Sequence, residues 1–509
     1  MSSVTVHYVP RILTPGVTPG IDQVDSPSKQ WADMMDHWRL IEDLMGGTLS
    51  MREAGTLWLP LEPKEQVKQY NRRLSRAILF NGLRDAINKI TSKPFTKETT
   101  TKGKLPVQLE NMPFDIDRKG STITSFAKKL TFDAAKYGLS HFYVDFPSTS
   151  GKQTLGDETF GNVRPYFTHV SAVQVIGHKS VMSDSGERLL TQVRVKETFE
   201  EAVGEFAVEE VSRIRVFEPG LVRTYEKRSK DRNYIPVGER EITIGGKRAN
   251  FIPFVTVYFN ETGFMTARPP YEDLAWLNLA HWQSNADHRN YLRFVRIGTM
   301  FGKGFSPAEI DKGIVISPNG LVTSTNENAS LEYVEHKGTA YDAGKDDLAH
   351  LEQLMETLGT QPLLEGSAKS SATGKMIDEN ERSSQGQSWI RNVENALEEG
   401  FLIAHKYVKA DVDPEFAVDV YNDFNISMTG RDDVSTLLEM RDPTNPQISH
   451  ETLISELIRR AVLSDDVNAG VELERIAKET LVLAGGGGDN NPDDTIVDDE
   501  VETDAVVGE

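Results

Sequence analysis

At 509 residues the chain exceeds what one hydrophobic core usually organises, so two or more domains are expected. Hydrophobic residues make up 38% and charged residues 26%, which reads as a soluble chain whose modest core would gain from burial between subunits. The complete absence of cysteine excludes disulfides, a thiolate zinc site and a cysteine nucleophile, and a net charge of −21 argues against a tight, sequence-dependent grip on nucleic acid. An ordinary soluble acidic protein carries a charge of that kind, so the charge by itself selects no function.

No run of about 18 uncharged apolar residues occurs, so no transmembrane helix is expected. The opening MSSVTVHYVPRILTPGVTPG has neither a basic nor an apolar leader segment, and the protein is expected to stay in the cytoplasm where it is made. After an irregular arm to about Pro27, Trp31, Met34, Met35, Trp38, Ile41, Leu44 and Met45 form the apolar stripe of a helix that ends at Gly46 and Gly47. A second helix is expected from Pro63, at a favoured first-turn position, to Ser92, with Val67, Tyr70, Leu74, Ala77, Ile78 and Leu83 on one face. Its arginines suit a solvated face pairing with Glu65 and Asp85. A third helix, Thr122 to Tyr137, ends at Gly138 and feeds the strand HFYVDF.

Past the polar stretch STSGKQTLGDETFGN, strands are expected in YFTHVSAVQVIGH, LLTQVRVKETF, EFAVEEVSRIRVFE, LVRTYEKR and EITIGG. Pro219-Gly220 and Gly245-Gly246 supply turns between them. FIPFVTVYF closes the series as an edge strand or one entered at a bulge, because Pro253 cannot donate to a ladder. A long helix then runs from Pro270 to about Phe301. Leu274, Leu277, His281 and Tyr291 share one of its faces and Trp276, Leu279, Trp282 and Ala286 another, which suits packing against copies of itself or the interior of a monomer.

A turn-rich, strand-like insertion follows, with Pro318-Asn319-Gly320 as its strongest turn. Leu348, Leu351, Met355 and Leu358 then mark a helix from about Lys345 that Gly359 and Pro362 should stop. Trp389, Val393, Leu397, Phe401, Ala404 and Val408 mark another. Between them lies Gly366 to Gly374, small and polar, with Lys369 and Lys375 as its charges, and taken alone it reads as an ordinary connection. Beyond Val408, strand-like EFAVDVYNDF and ISM precede helices in DDVSTLLEMRD, SHETLISELIRRAVL and DVNAGVELERIAKETLVLA. Ser449 with Thr452 starts the second of these, and Asp465 or Asp466 caps the third. Gly485 to Gly488 opens an acidic segment without Lys or Arg, expected to be disordered.

The order long helix, small β insertion, helix, polar loop and long helix resembles the stem, clip, stem and tunnel-loop region of tailed-bacteriophage portal proteins. Tyr70, Arg72, Arg73, Asn81 and Pro94-Phe95 are similar to that family's early wing helix. The resemblance implies an α+β subunit with a mixed α/β wing, long stem helices, a small β-containing clip and a helical C-terminal crown. It divides the chain into a wing at 1–265, a first stem helix at 266–301, a clip at 302–337 and a second stem helix at 338–361. A tunnel loop at 362–376, a long wing helix at 377–410, a C-terminal wing and crown region at 411–484 and an acidic tail at 485–509 complete the division. The chain departs from the family in showing no obvious long crown helix.

By this resemblance the protein is a homo-oligomer, a ring of about twelve copies at one capsid vertex. Its partners would be double-stranded DNA passing through, the major capsid and scaffolding proteins, the terminase large subunit and the head-to-tail adaptor. It would be assembled in the host cytoplasm and reside in the virion, away from any membrane. Lys369, Ser370, Ser371, Thr373 and Lys375 would face DNA, and Lys303, Lys312, Asn319, Asn326 and Asn328 would face terminase or adaptor.

Enzymatic chemistry finds little footing. A Walker A loop would need glycine where Lys369 stands and a hydroxyl where Met376 stands, so no nucleotide site and no ATPase is expected. His281 and His288, seven residues apart with Asp287 beside the second, suit hydrogen bonding at a helix interface better than zinc, which prefers closer helical spacing. His336, His350 and His405 are isolated. Asp346-Asp347, Asp432-Asp433 and Asp465-Asp466 abut expected helix starts, where the helix dipole accounts for them. No cofactor, metal or catalytic residue is expected. A phage structural or adaptor protein without a DNA channel, or a soluble enzyme of another type, are the alternative readings.

Overall fold

The computed structural model describes residues 23–147, 163–244, 247–297, 299–307, 310, 324, 326–334, 339–360, 385–422, 438, 440, 448–459 and 470–476. The fold is mixed α+β, and the chain divides into two compact units, Met1–Asn425 and Ile426–Glu509. Among the described residues no helix is long and apolar enough to cross a membrane.

Helix α1 (Lys29–Gly46) begins where the Ser28 hydroxyl accepts the Trp31 amide and ends at Gly47, whose φ of 84° suits glycine. Its stripe is as expected: Trp38, Ile41 and Leu44 are buried, and the Trp38 indole donates to the Tyr137 carbonyl at 2.9 Å. The short α2 (Thr48–Ala54) was not expected, since Met51 is its one buried residue and so small an apolar share leaves no periodicity.

The single helix expected from Pro63 to Ser92 is two helices, α3 (Val67–Leu74) and α4 (Gly82–Ser92). Gln66, not Pro63, caps the first, and Asn81 breaks the run. Its side chain accepts the Arg84 amide and donates to the Leu44 carbonyl at 2.7 Å, so the chain restarts a helix rather than continuing one. The expected stripe divides accordingly: Tyr70, Ala77 and Leu83 are buried, while Val67 and Ile78 face outward. Strand β1 (Thr100–Lys102) follows.

Helix α5 (Ile123–Tyr137) carries the expected Thr122 cap and ends at Gly138, φ 87°. A Cβ at Gly138 would sit 2.1 Å from the Arg268 carbonyl oxygen, so only glycine fits. It feeds β2 (Leu139–Asp145), buried along its whole length between β3 (Tyr166–Val170) and β11 (Phe254–Tyr258). Pro253 directly precedes β11, which is the edge strand its sequence implies.

The expected strand YFTHVSAVQVIGH is cut at Ala172–Gln174, where a short 3-10 turn passes the chain into a second sheet. That sheet is an antiparallel meander of β4 (Val175–Met182), β5 (Arg188–Val203), β6 (Ala207–Glu218), β7 (Leu221–Arg228) and β8 (Ile235–Glu241). Pro219 and Gly220, φ 71°, close the β6–β7 hairpin as expected. Strand β8 is not expected from the sequence because Pro236 and Gly238 interrupt it, and every residue in it is exposed. EITIGG supplies the last residue of β8 and then β9 (Thr243–Ile244), paired with β10 (Lys247–Arg248), while Gly245-Gly246 lies outside the described residues.

The pair β12 (Glu261–Gly263) and β13 (Thr266–Ala267) leads to the helical region, α6 (Glu272–Ile297), β14 (Thr299–Lys303), β15 (Ser330–Val334) and α7 (Thr339–Thr360). Helix α8 (Gln385–Val408) then lies across the three-stranded sheet. Trp389, Val393, Leu397, Phe401 and Ala404 are buried as the stripe implies, and the Phe401 ring meets Phe167 at 5.5 Å. Strand β16 (Ala417–Asp419) pairs with β1. In the second unit, α9 (His450–Arg459) begins at Ser449, whose hydroxyl accepts the Thr452 amide at 3.0 Å. The remaining expected cap at Asp465 or Asp466, the segment ISM and the acidic tail lie outside the described residues.

Candidate functional site

The region with the most distinctive geometry is the hairpin of α6 and α7 with the β14–β15 ladder at its end. The first helix stops at Ile297 rather than Phe301, because Thr299 to Lys303 pair as a strand with Ser330 to Val334. The second begins six residues earlier than Lys345 and runs through Gly359 to Thr360. Gly359 is therefore a helical contact, not a left-handed cap. A Cβ there would lie 2.9 Å from the Ala86 Cβ, so glycine lets α7 approach α4 closely. Asp346 and Asp347 likewise lie inside α7, not at its start.

Three contacts set the two helices antiparallel. His281 Nε2 lies 3.1 Å from Glu352 Oε1, the Ser284 hydroxyl donates to Asp347 at 2.8 Å, and the His288 ring stacks on Tyr341 at 5.1 Å. His281 thus has the interface hydrogen-bonding role expected of it, and among the described residues no group of three His, Asp or Glu could hold a metal. Asn278, fully buried, accepts the Leu83 amide and donates to the Phe80 carbonyl at 2.7 Å, which pins the start of α4 to α6. The buried surface of α6, including Leu274, Leu279, Trp282 and Ala286, is met by α1, α3, α4 and α7 of the same chain.

Arg73 is not on a solvated face. It is buried, donating to both Glu65 oxygens, to Asp287 at 3.1 Å and to the Pro60 carbonyl at 2.7 Å, with its guanidinium over the Tyr70 ring. The hydrogen bonds from Arg73 hold the Glu65 carboxyl below its ordinary range, whereas burial raises that of Asp287 against the same arginine. Asp85, the other partner expected for these arginines, instead pairs with Lys89 at 2.7 Å.

Two concavities flank the hairpin. One, about 580 Å³, lies between α4 and α7 and is lined by Phe80, Asp85, Lys89, Glu352, Met355 and Glu356. The other, about 840 Å³, is a basic groove formed by Arg52 and Arg76 on one wall and Arg289 and Arg293 on the other, with Ile78, His288 and Leu292 among its lining. None of these four arginines forms an ion pair among the described residues. Arg52 donates to the Ala77 carbonyl and Arg289 to the Asn285 amide oxygen.

At the ladder, Lys303 pairs with Ser330 across the strands, Asn326 donates to the Gly304 carbonyl at 2.8 Å, and the Asn328 amide donates to Asn326. These three expected partner-facing residues are therefore brought together, the asparagines as local turn formers. Lys312, Asn319, Lys369, Ser370, Ser371, Thr373 and Lys375 lie outside the described residues, as do His336 and Asp432-Asp433.

One constellation between α5 and the three-stranded sheet invites a catalytic reading that its geometry rejects. The Ser140 hydroxyl lies 3.1 Å from His169 Nε2 and 3.3 Å from Asp133, and Asp133 lies 3.5 Å from the same Nε2. In a nucleophilic triad the acid orients the opposite ring nitrogen, leaving Nε2 for the serine. Here Asp133 is occupied by the Ser171 hydroxyl and Ala172 amide, and Ser140 is fully buried in β2. The cluster ties α5 to the strands. Neighbouring His141, buried and bonded to Thr256, is pushed down to about 3 by desolvation and stays neutral.

Residues 270–408 match a family model described as a domain of unknown function, DUF4055, which covers α6 through α8. No curated protein matches the chain. Solved structures similar to it include the virion of a native gene transfer agent particle, at 10% identity and a TM-score of 0.37, covering 74% of this chain and 89% of that one. The neck of the native particle, computed with C12 symmetry, gives the same values. The neck of the empty particle, computed with C6 symmetry, has 11% identity and a TM-score of 0.36 and covers 81% of this chain and 98% of that one.

Proposed function

We propose that this protein is the portal subunit of a phage-like particle, assembled as a ring at one capsid vertex, through which double-stranded DNA is packaged and released. The observation that carries the reading is the order of elements. A long helix, a small antiparallel ladder, a second helix antiparallel to the first and a third long helix over the three-stranded sheet occur in sequence in one compact unit. That is the succession of stem, clip, stem and wing helix that a portal subunit requires. Lys369 and Lys375, in the segment joining α7 to α8, would offer DNA a few sequence-independent phosphate contacts, few enough for a strand to slide. Lys303, Lys312, Asn319, Asn326 and Asn328 would lie where terminase and then the adaptor dock.

Labelling of an epitope-tagged copy in purified particles tests this role. One labelled vertex per particle is expected; label spread over the shell, or absent from particles, contradicts it.

A further inference from the structure

The basic groove stands apart in a chain with 77 acidic and 56 basic residues. Arg52, Arg76, Arg289 and Arg293 converge on one concavity with no carboxylate paired to any of them among the described residues, and Ile78, 46% exposed, gives it an apolar patch. Unpaired guanidinium groups over an apolar surface call for an anionic occupant that also buries apolar area.

The other side of the same hairpin supplies the anionic part of such a surface. On α7, Gly344 faces His288, and Asp347 and Glu352 face α6. Asp342 and Asp346 each lie two residues from Gly344, about 200° around the helix, and therefore point away from α6. Both are exposed and neither is paired among the described residues. Because the helices run antiparallel, with His288 facing Tyr341 and Ser284 facing Asp347, Asp342 sits at the level of Arg289 and Asp346 about one turn from it.

We infer that the groove receives the outer face of α7 from a second copy of this chain, Asp342 and Asp346 of one copy meeting Arg289 and Arg293 of the next. This deepens the ring reading and rests on it. The two surfaces are different patches of one molecule, so the contact is heterologous and propagates around a ring. A nucleic acid is the less suitable occupant. A duplex following the groove would have to pass the acidic remainder of the chain, whereas a protein carboxylate pair can be presented locally.

The test compares four full-length proteins by sedimentation across a salt series: the wild type, Arg289→Glu with Arg293→Glu, Asp342→Lys with Asp346→Lys, and all four changes together. The wild type should form rings that weaken as salt rises. Each double reversal should lose assembly affinity by roughly tenfold or more, and the fourfold variant should recover it. Circular dichroism of the monomers checks that the surface changes leave folding intact. Wild-type rings with reversals that assemble equally well, or losses that the fourfold variant fails to restore, would overturn this contact and leave the ring reading standing. A wild type that forms no ring overturns both. Unchanged rings whose Arg289→Glu, Arg293→Glu form alone loses retention of short double-stranded DNA would reassign the groove to phosphate.

Discussion

At the scale of residues, the chain's polar investment is in holding its helices together. Arg73 links α3, the segment before it and α6 through Glu65, Pro60 and Asp287. Removing it strands Glu65, whose side chain is 10% exposed, so Arg73→Ala should cost about 3 kcal/mol in chemical unfolding. Lysine should not rescue it, since a single ammonium cannot reproduce the fork. The same group makes a pH prediction. Glu65 titrates below its ordinary 4.5 in the folded state, chiefly through the Arg73 hydrogen bonds. Its contribution is complete above that ordinary value and is lost as pH falls through the depressed one. Asp287, shifted upward, acts in the opposite sense. Melting of wild type and Glu65→Gln from about pH 6 down to about pH 3 should show a shallower acid-side loss in the variant. Sequence spacing found Glu65 as a partner of the arginines but not the burial of Arg73, because Asp287 lies far along the chain and tertiary pairing leaves no local trace.

At the scale of elements, glycine rather than apolar bulk decides two of the closest approaches. A Cβ at Gly400 would lie 2.7 Å from the rings of Phe142 and Phe167, both fully buried, so α8 can lie on the sheet only with glycine there. Gly400→Val should cost about 2–3 kcal/mol in thermal unfolding, overpacking outweighing any loss of glycine's unfolded-state freedom. Little or no change in Tm would show that the helix can slide. Elements with a one-sided stripe were readable: α1 from Trp38, Ile41 and Leu44, α5 from its Thr122 and Gly138 caps, and α8 from Trp389 to Ala404. Elements whose boundary depends on distant partners were not. Asn81 breaks the long second helix because Leu44 accepts from it, and Gly359 continues α7 because Ala86 lies opposite. Neither signal exists in the local sequence, where Gly359 reads as a stop. The basic groove was equally hidden, since Arg52, Arg76, Arg289 and Arg293 come from separate segments.

At the scale of the whole molecule, the order of helix, ladder and helix was legible because each piece has its own period or turn residues. What those pieces assemble into depends on surfaces a single chain leaves uncovered. On the proposed function, copies of this chain close into a ring with an axial opening wide enough for a DNA duplex. Electron microscopy of the purified full-length protein measures that directly. Class averages should show closed rings of about twelve subunits around a central channel. A protein that stays monomeric at high concentration in every assembly condition, or that forms closed particles without an opening, is not a portal subunit.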